Sequence, residues 1–138
     1  SRMHEREAFG SPLADKQLLQ KFVFDSACEI QASRQLTLDA AKRIDKGDDA
    51  RVEIGMIKVV GAKMVHNVID RAIQVYGAKG LTDDTPLSLM YRHAREARIY
   101  DGPDEVHVQS VARRILKNYQ NDGAGWDFGE RDASLNSD

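Results

Sequence analysis

Apolar residues in this chain return at steps of three and four, the period of a helix buried along one face. Between about 13 and 46, Leu19, Val23, Ala27 and Ile30 share one side and predict a long first helix. Gly47 is placed to end it, and Asp48 or Asp49 to cap a second helix over about 50–76, with Glu53 near the positive end of its dipole. In that second helix Ile57, Val60, Met64, Val68, Ala72 and Val75 form one stripe, and Val65, Ile69 and Ile73 form another beside it. An arc this wide predicts burial on more than one side, inside a bundle or at a subunit interface. Gly77 is placed as a left-handed C-cap. After the turn-rich GAKGLTDDTPL comes a shorter helix over about 86–98, and Val108, Val111, Ala112, Ile115 and Tyr119 predict a last one over about 103–119. Gly and Pro fall almost entirely between these segments, and neither a strand alternation nor an internal repeat is present. The expected fold is all-α, an antiparallel four-helix bundle over residues 1–120. Residues 121–138 read as a polar, loosely held tail in which Trp126 and Phe128 could dock.

Composition narrows the function classes. A chain of 138 residues, 41% hydrophobic and 30% charged, fits one globular domain with a real core. A net charge of −2 gives no general pull toward nucleic acid or an acidic membrane. No apolar run approaches the roughly 20 residues of a membrane span, and the opening SRMHEREAFG lacks the apolar centre of a signal peptide. Cys28 stands alone, so neither an internal disulfide nor a cysteine-built metal site can form, and an intracellular, reducing setting is expected. The chain starts without Met on a charged, helix-like stretch, and so reads as a piece of something longer.

Several chemistries drop out. A di-metal carboxylate centre needs inward Glu-x-x-His pairs, and no Glu here has His three residues on. His4, His66, His93 and His107 share no ligand spacing and read as surface or satisfied structural residues, so no metal is expected. No nucleophile elbow supports Ser-His-Asp catalysis. Arg92, Arg95 and Arg98, at steps of three, read as a phosphate strip or, more ordinarily, as a solvated face paired with Glu96 and nearby acids. Three stretches exceed what a bundle needs. REAFG, residues 6–10, with Gln17 beyond it, sets Phe9 beside Gly10 at a helix break, where it can be a hydrophobic staple. QVYGAKG, residues 74–80, spaces two glycines three apart, which permits close approach to a phosphate or simply ends helices. IYDGPDE, residues 99–105, sets Asp101 where a capping carboxylate sits and Pro103 at a first helical position.

Together and in this order, the pieces resemble the C-terminal helical domain of the acyl-CoA dehydrogenases, from about Arg6 to Lys117. They are Arg-x-x-Phe-Gly, Gln eleven residues after the Arg, Gln-x-x-Gly before a Pro-Leu turn, and a Tyr-Arg to Ile-Tyr run into an acid-Gly step. The resemblance implies FAD as cofactor and an acyl-CoA thioester as substrate. The acid after Ile-Tyr, here Asp101, removes the α-proton, and a hydride leaves the β-carbon for the flavin. Stabilisation of the developing enolate by a backbone N–H, and burial that raises the base's pKa, make so weak a carbon acid accessible. By the same resemblance Tyr100 lines the acyl pocket, Gly102 lets the thioester approach, and Pro103 to Glu105 meet FAD near the flavin. Arg6 and Gln17 hold the pyrophosphate and its neighbours, Phe9 packs on the cofactor, and Gln74, Gly77 and Ala78 reach FAD across a subunit interface. A homodimer or tetramer of dimers is implied.

Relatives usually carry Glu at 101, Thr at 103 and Gly at 78. The string YDGPDEVH instead resembles a branch that includes family members ten and eleven, in which Asp is the base. The resemblance also implies an N-terminal helical domain, a middle β-domain and an electron-transfer acceptor, in the cytoplasm of a bacterium or in mitochondria or peroxisomes of a eukaryote. The competing expectation is a non-catalytic bundle kept for oligomerisation or partner binding.

Overall fold

The computed structural model describes residues 1–122; Trp126, Phe128 and nearly all of the expected tail lie outside them. A short helix α1 (Arg2–Glu5) precedes two antiparallel two-residue strands, β1 (Glu7–Ala8) and β2 (Ser11–Pro12), with Ala8 opposite Ser11. Strands this short have no period to show in a sequence, so the hairpin is a local addition to the all-helical expectation. A 3₁₀ turn (Leu13–Asp15) and an extended Lys16 follow, so α2 (Gln17–Lys46) starts a few residues later than expected. Next come α3 (Arg51–Tyr76), a 3₁₀ segment (Gly77–Leu81), α4 (Leu87–Glu96) and α5 (Asp104–Asp122).

The helix ends follow local chemistry. α2 stops in a Schellman motif, with the Gly47 N–H donating to Ile44 O and the Asp48 N–H to Arg43 O, both at 2.9 Å. Asp49 accepts the Arg51 N–H at 3.1 Å and binds its guanidinium, which holds the Asp49 carboxyl well below the usual carboxylate range. Gly77 differs from the expected left-handed cap. Its φ of 65° is positive, but its ψ of −146° places it in a region essentially reserved for glycine.

Four helices make the bundle, and α3 is their common partner. α2 runs antiparallel to it, with Arg71 against Glu29 at one end and Arg43 against Glu53 at the other. α4 and α5 also run opposite to α3, and therefore in the same sense as each other. His66 meets Tyr91 and Lys58 meets Ala97, while Lys63 meets Asp104. α4 thus covers the middle and C-terminal part of α3, and α5 covers its N-terminal part. Gly55 lets α5 come close, because a Cβ there would stand 2.6 Å from a Val111 methyl.

The core is thin. Val59 and Ile69 of α3, with Ala40, Ala50 and Ala94, are its buried apolar residues, and no described side chain is wholly enclosed. The wide arc of α3 is only half covered: Ile69 is buried, yet Val60 and Val65 stay exposed, as do Phe24, Leu38, Leu116 and Tyr119. Apolar surface on this scale marks contacts beyond the chain. No helix among the described residues is long and apolar enough to cross a membrane.

Candidate functional site

The residues singled out by sequence gather at two places. At the C-terminal end of α3, Arg6, Gln74, Gly77 and Ala78 line one groove of about 450 Å³. Arg2 and Lys79 line it too, which sequence had not picked out. The signal for Arg2 was its position four residues before Arg6, one helical turn away. Arg2 lies over the Tyr76 ring, 5.8 Å from its centroid, and its Nε is buried with no partner among the described residues. Gly77 has nothing within 4 Å of where a Cβ would stand, whereas one at Gly80 would stand 3.0 Å from the Ile73 backbone. The two glycines therefore differ: Gly80 packs back against the end of α3, and Gly77 faces open space. Three cations, one amide and an uncovered backbone form a donor set suited to a phosphate-type anion.

Beside this groove, Phe9 and Gly10 make the two-residue turn of the hairpin, both with positive φ as a type I′ turn requires. Phe9 is fully exposed, so it staples nothing in this chain. Lys16 holds the turn from behind, donating to Phe9 O at 3.3 Å and Ser11 Oγ at 2.6 Å. Gln17 opens α2 and is exposed, outside the lining of the groove.

The second place is the turn between α4 and α5. Asp101 has φ 52° and Gly102 φ 93°. A left-handed acid is less costly than most side chains in that region, though still strained by up to about 1–3 kcal/mol. Asp101 is not the helix cap expected of it. α5 begins at Asp104, and Pro103, one residue outside, accepts the Val106 N–H at 3.0 Å. Among the described residues no donor reaches the Asp101 carboxylate. Asp104 takes the structural duty instead: it is buried, receives Arg98 Nε at 2.8 Å and lies 4.0 Å from Lys63 Nζ. The Arg92–Arg95–Arg98 row is thus partly an ion-pair face, although Arg98 chooses Asp104 rather than Glu96.

The turn is held by two further side chains, Lys58, which sequence did not mark, and His107, which it read as a surface or satisfied structural residue. Lys58 of α3 donates to Ala97 O and, at 2.8 Å, to Tyr100 O, and its ammonium lies 4.8 Å from the Tyr100 ring centroid. His107 Nε2 lies 3.0 Å from Asp101 O. Tyr100 closes one end of a mostly apolar groove of about 700 Å³ among α2, α3 and α4, with Ile57, Met64 and Met90 along it. Pro103 and Glu105 are exposed beside the turn.

The two places do not meet. Lys58, which ties down the Asp101 turn, and Gln74, on the cationic groove, are sixteen residues apart on α3, roughly 24 Å at 1.5 Å per residue.

This arrangement has known counterparts. The family described as "Acyl-CoA dehydrogenase, C-terminal domain" matches residues 1–116. FadE2 of Mycobacterium tuberculosis, assigned as an acyl-CoA dehydrogenase, is 47% identical over 84% of this chain and 29% of its own length. Acyl-CoA dehydrogenase family member 10 of mouse is 43% identical over 86% of the chain and 11% of its own. A solved structure assigned to the acyl-CoA dehydrogenases, from Mycobacterium abscessus, superposes with a TM-score of 0.83 at 39% identity, over 86% of this chain and 30% of that one. The chain therefore spans under a third of the relatives it matches.

Proposed function

Because the chain belongs to the acyl-CoA dehydrogenase family, as its C-terminal helical domain, we propose that it supplies the base and part of the FAD site of an acyl-CoA-oxidising flavoenzyme. Asp101 is the base. One observation carries this: of the two acids at the turn, Asp104 is consumed by Arg98 and Lys63, while Asp101 is presented in a left-handed conformation with nothing among the described residues bound to its carboxylate. A purely structural turn gains nothing from that strain, so an oligomerisation module explains the geometry less well.

The cationic groove fits FAD in its chemistry. Arg2, Arg6 and Lys79 balance a pyrophosphate, Gln74 donates an amide hydrogen, and Gly77 opens the backbone to it. Bound FAD supplies the acceptor for the hydride leaving the β-carbon. Asp101 takes the α-proton onto a carboxylate oxygen, and Tyr100 with its groove shapes the space for the acyl chain. Being one methylene shorter than Glu, Asp101 requires the turn itself to bring the carboxylate to the substrate. The left-handed backbone is the means of doing so. Pro103 lacks an N–H and a hydroxyl, which leaves Glu105 as the polar group of that pair toward the flavin.

A ribityl chain is far shorter than the roughly 24 Å along α3 between the two places. One chain therefore serves two flavins: it gives its base to one and its phosphate cradle to another, in a homodimer or a dimer of dimers. The exposed arc of α3 and the apolar faces of α2 and α5 are the surfaces for the second subunit and for the enzyme's other domains.

The test is Asp101→Asn in the full-length protein. It should keep its flavin yet lose reduction by saturated acyl-CoA by about a hundredfold or more. Flavin bleaching at the wild-type rate would remove Asp101 from the mechanism.

A further inference from the structure

Resting on the reading of Asp101 as the base, we propose that His107 is the positioning residue that sets the base's geometry, by donating Nε2–H to the Asp101 carbonyl. The contact measures 3.0 Å, and since a carbonyl can only accept, the proton resides on Nε2. His107 lies in the first turns of α5, half-buried, on a helix whose start is fixed by Asp104 against Arg98 and Lys63. Its ring packs on the turn as well, because a Cβ at Gly102 would stand 3.0 Å from Nε2. The hydrogen bond and the ring together define the left-handed backbone that aims the carboxylate.

The same device occurs a second time. Among the described residues Phe9 and Asp101 are the non-glycines with positive φ, and each precedes a glycine with positive φ. Each has its carbonyl oxygen held by a cationic or imidazole side chain a few residues on, Lys16 for Phe9 and His107 for Asp101. Both strained residues are ones matched to the family's site, and both clamps lie outside that match. A clamp on the carbonyl leaves the side chain free, which suits a residue whose side chain must act on something else.

The test uses the full-length flavoenzyme. The probe is the best-oxidised member of a series of straight-chain saturated acyl-CoA thioesters, with its α,α-dideuterated form. His107→Leu removes the donor. His107→Gln keeps an N–H of similar reach. Expected is a roughly ten- to hundredfold slower flavin bleaching on rapid mixing in His107→Leu. The α-deuterium isotope effect should rise, while flavin content and the half-saturating acyl-CoA concentration stay near wild type. His107→Gln should restore most of the rate. A His107→Leu rate within about twofold of wild type, with the same isotope effect, overturns the proposal, as does a Gln variant no better than Leu. If His107→Leu fails to retain flavin, the comparison passes to His107→Gln against His107→Met, both unbranched; equal rates in those two overturn it. Asp101→Asn is run alongside. Wild-type bleaching in that variant, or no bleaching of wild type by any acyl-CoA in the series, defeats the underlying reading instead.

Discussion

Arg6 shows how much a residue's meaning depends on its neighbours. Its backbone is fixed at both sides, the N–H donating to Arg2 O at 3.0 Å and the carbonyl accepting the Leu13 N–H at 2.8 Å, so its guanidinium is delivered to the groove from an ordered base. Removing it should cost about 1.5–3 kcal/mol of a charge-assisted hydrogen bond to phosphate, or roughly ten- to hundredfold in FAD affinity. Arg6→Ala in the full-length protein should therefore lose flavin on dialysis, and flavin content equal to wild type would end its assignment. The family's motifs and their order, with Arg6, Gln74 and Asp101 in them, were legible in the sequence. What lay hidden was how each is held. The left-handed φ of Asp101 and the clamps Lys16, Lys58 and His107 arise from contacts between residues that no local period connects. Phe9 is the clearest case: its place beside a glycine suggested a staple, and the hairpin turns it wholly outward instead.

At the level of elements, α2 and α3 are joined by a polar cluster rather than by core packing alone. Arg71 donates to Glu29 and, at 3.2 Å, to Ser26 Oγ, and Asn67 reaches Glu29 at 3.4 Å. The hydrogen bond from Arg71 is the main influence holding the Glu29 carboxyl below its ordinary 4.5, against a smaller opposing effect of burial. A carboxyl depressed on folding contributes stability that is full above its unfolded value and is lost as pH falls through its lower folded value. Glu29→Gln should therefore be less stable than wild type near neutrality. The gap should narrow as pH drops from about 5 to about 3, read as urea midpoints across that range. A constant gap would show that the pair carries no proton-linked stability. The helices themselves were readable to within a few residues because their periods are long. The start of α2 was less so: Lys16 adopts extended backbone between the 3₁₀ turn and the helix, which moved α2 later than the spacing indicated, whereas α5 begins within one residue of it.

For the molecule as a whole, the separation of the two places makes a demand that no single-site variant tests. If each chain gives its base to one flavin and its phosphate cradle to another, Asp101→Asn and Arg6→Ala subunits can complement each other. A mixed dimer holds one site with both residues intact. Co-expressed, co-purified and dialysed, the pair should show more acyl-CoA oxidation than Asp101→Asn or dialysed Arg6→Ala alone, up to about one site in two of each mixed dimer. No recovery, with mixed dimers verified by differential tags, would put both residues on one flavin. Sequence alone could expect a bundle and an interface from the width of the α3 arc. It could not expect that α4 and α5 would lie end to end along α3 in the same sense, since that follows from the turn at 101–102. This layout makes α5 a lever. Its fulcrum is the bare contact at Gly55, and the carboxylate of Asp101, the proposed base, hangs at its near end. A methyl group added at the fulcrum meets a stiff valine and must tilt the lever, so a change at Gly55, well along α5 from the turn, would be felt at the Asp101 carboxylate.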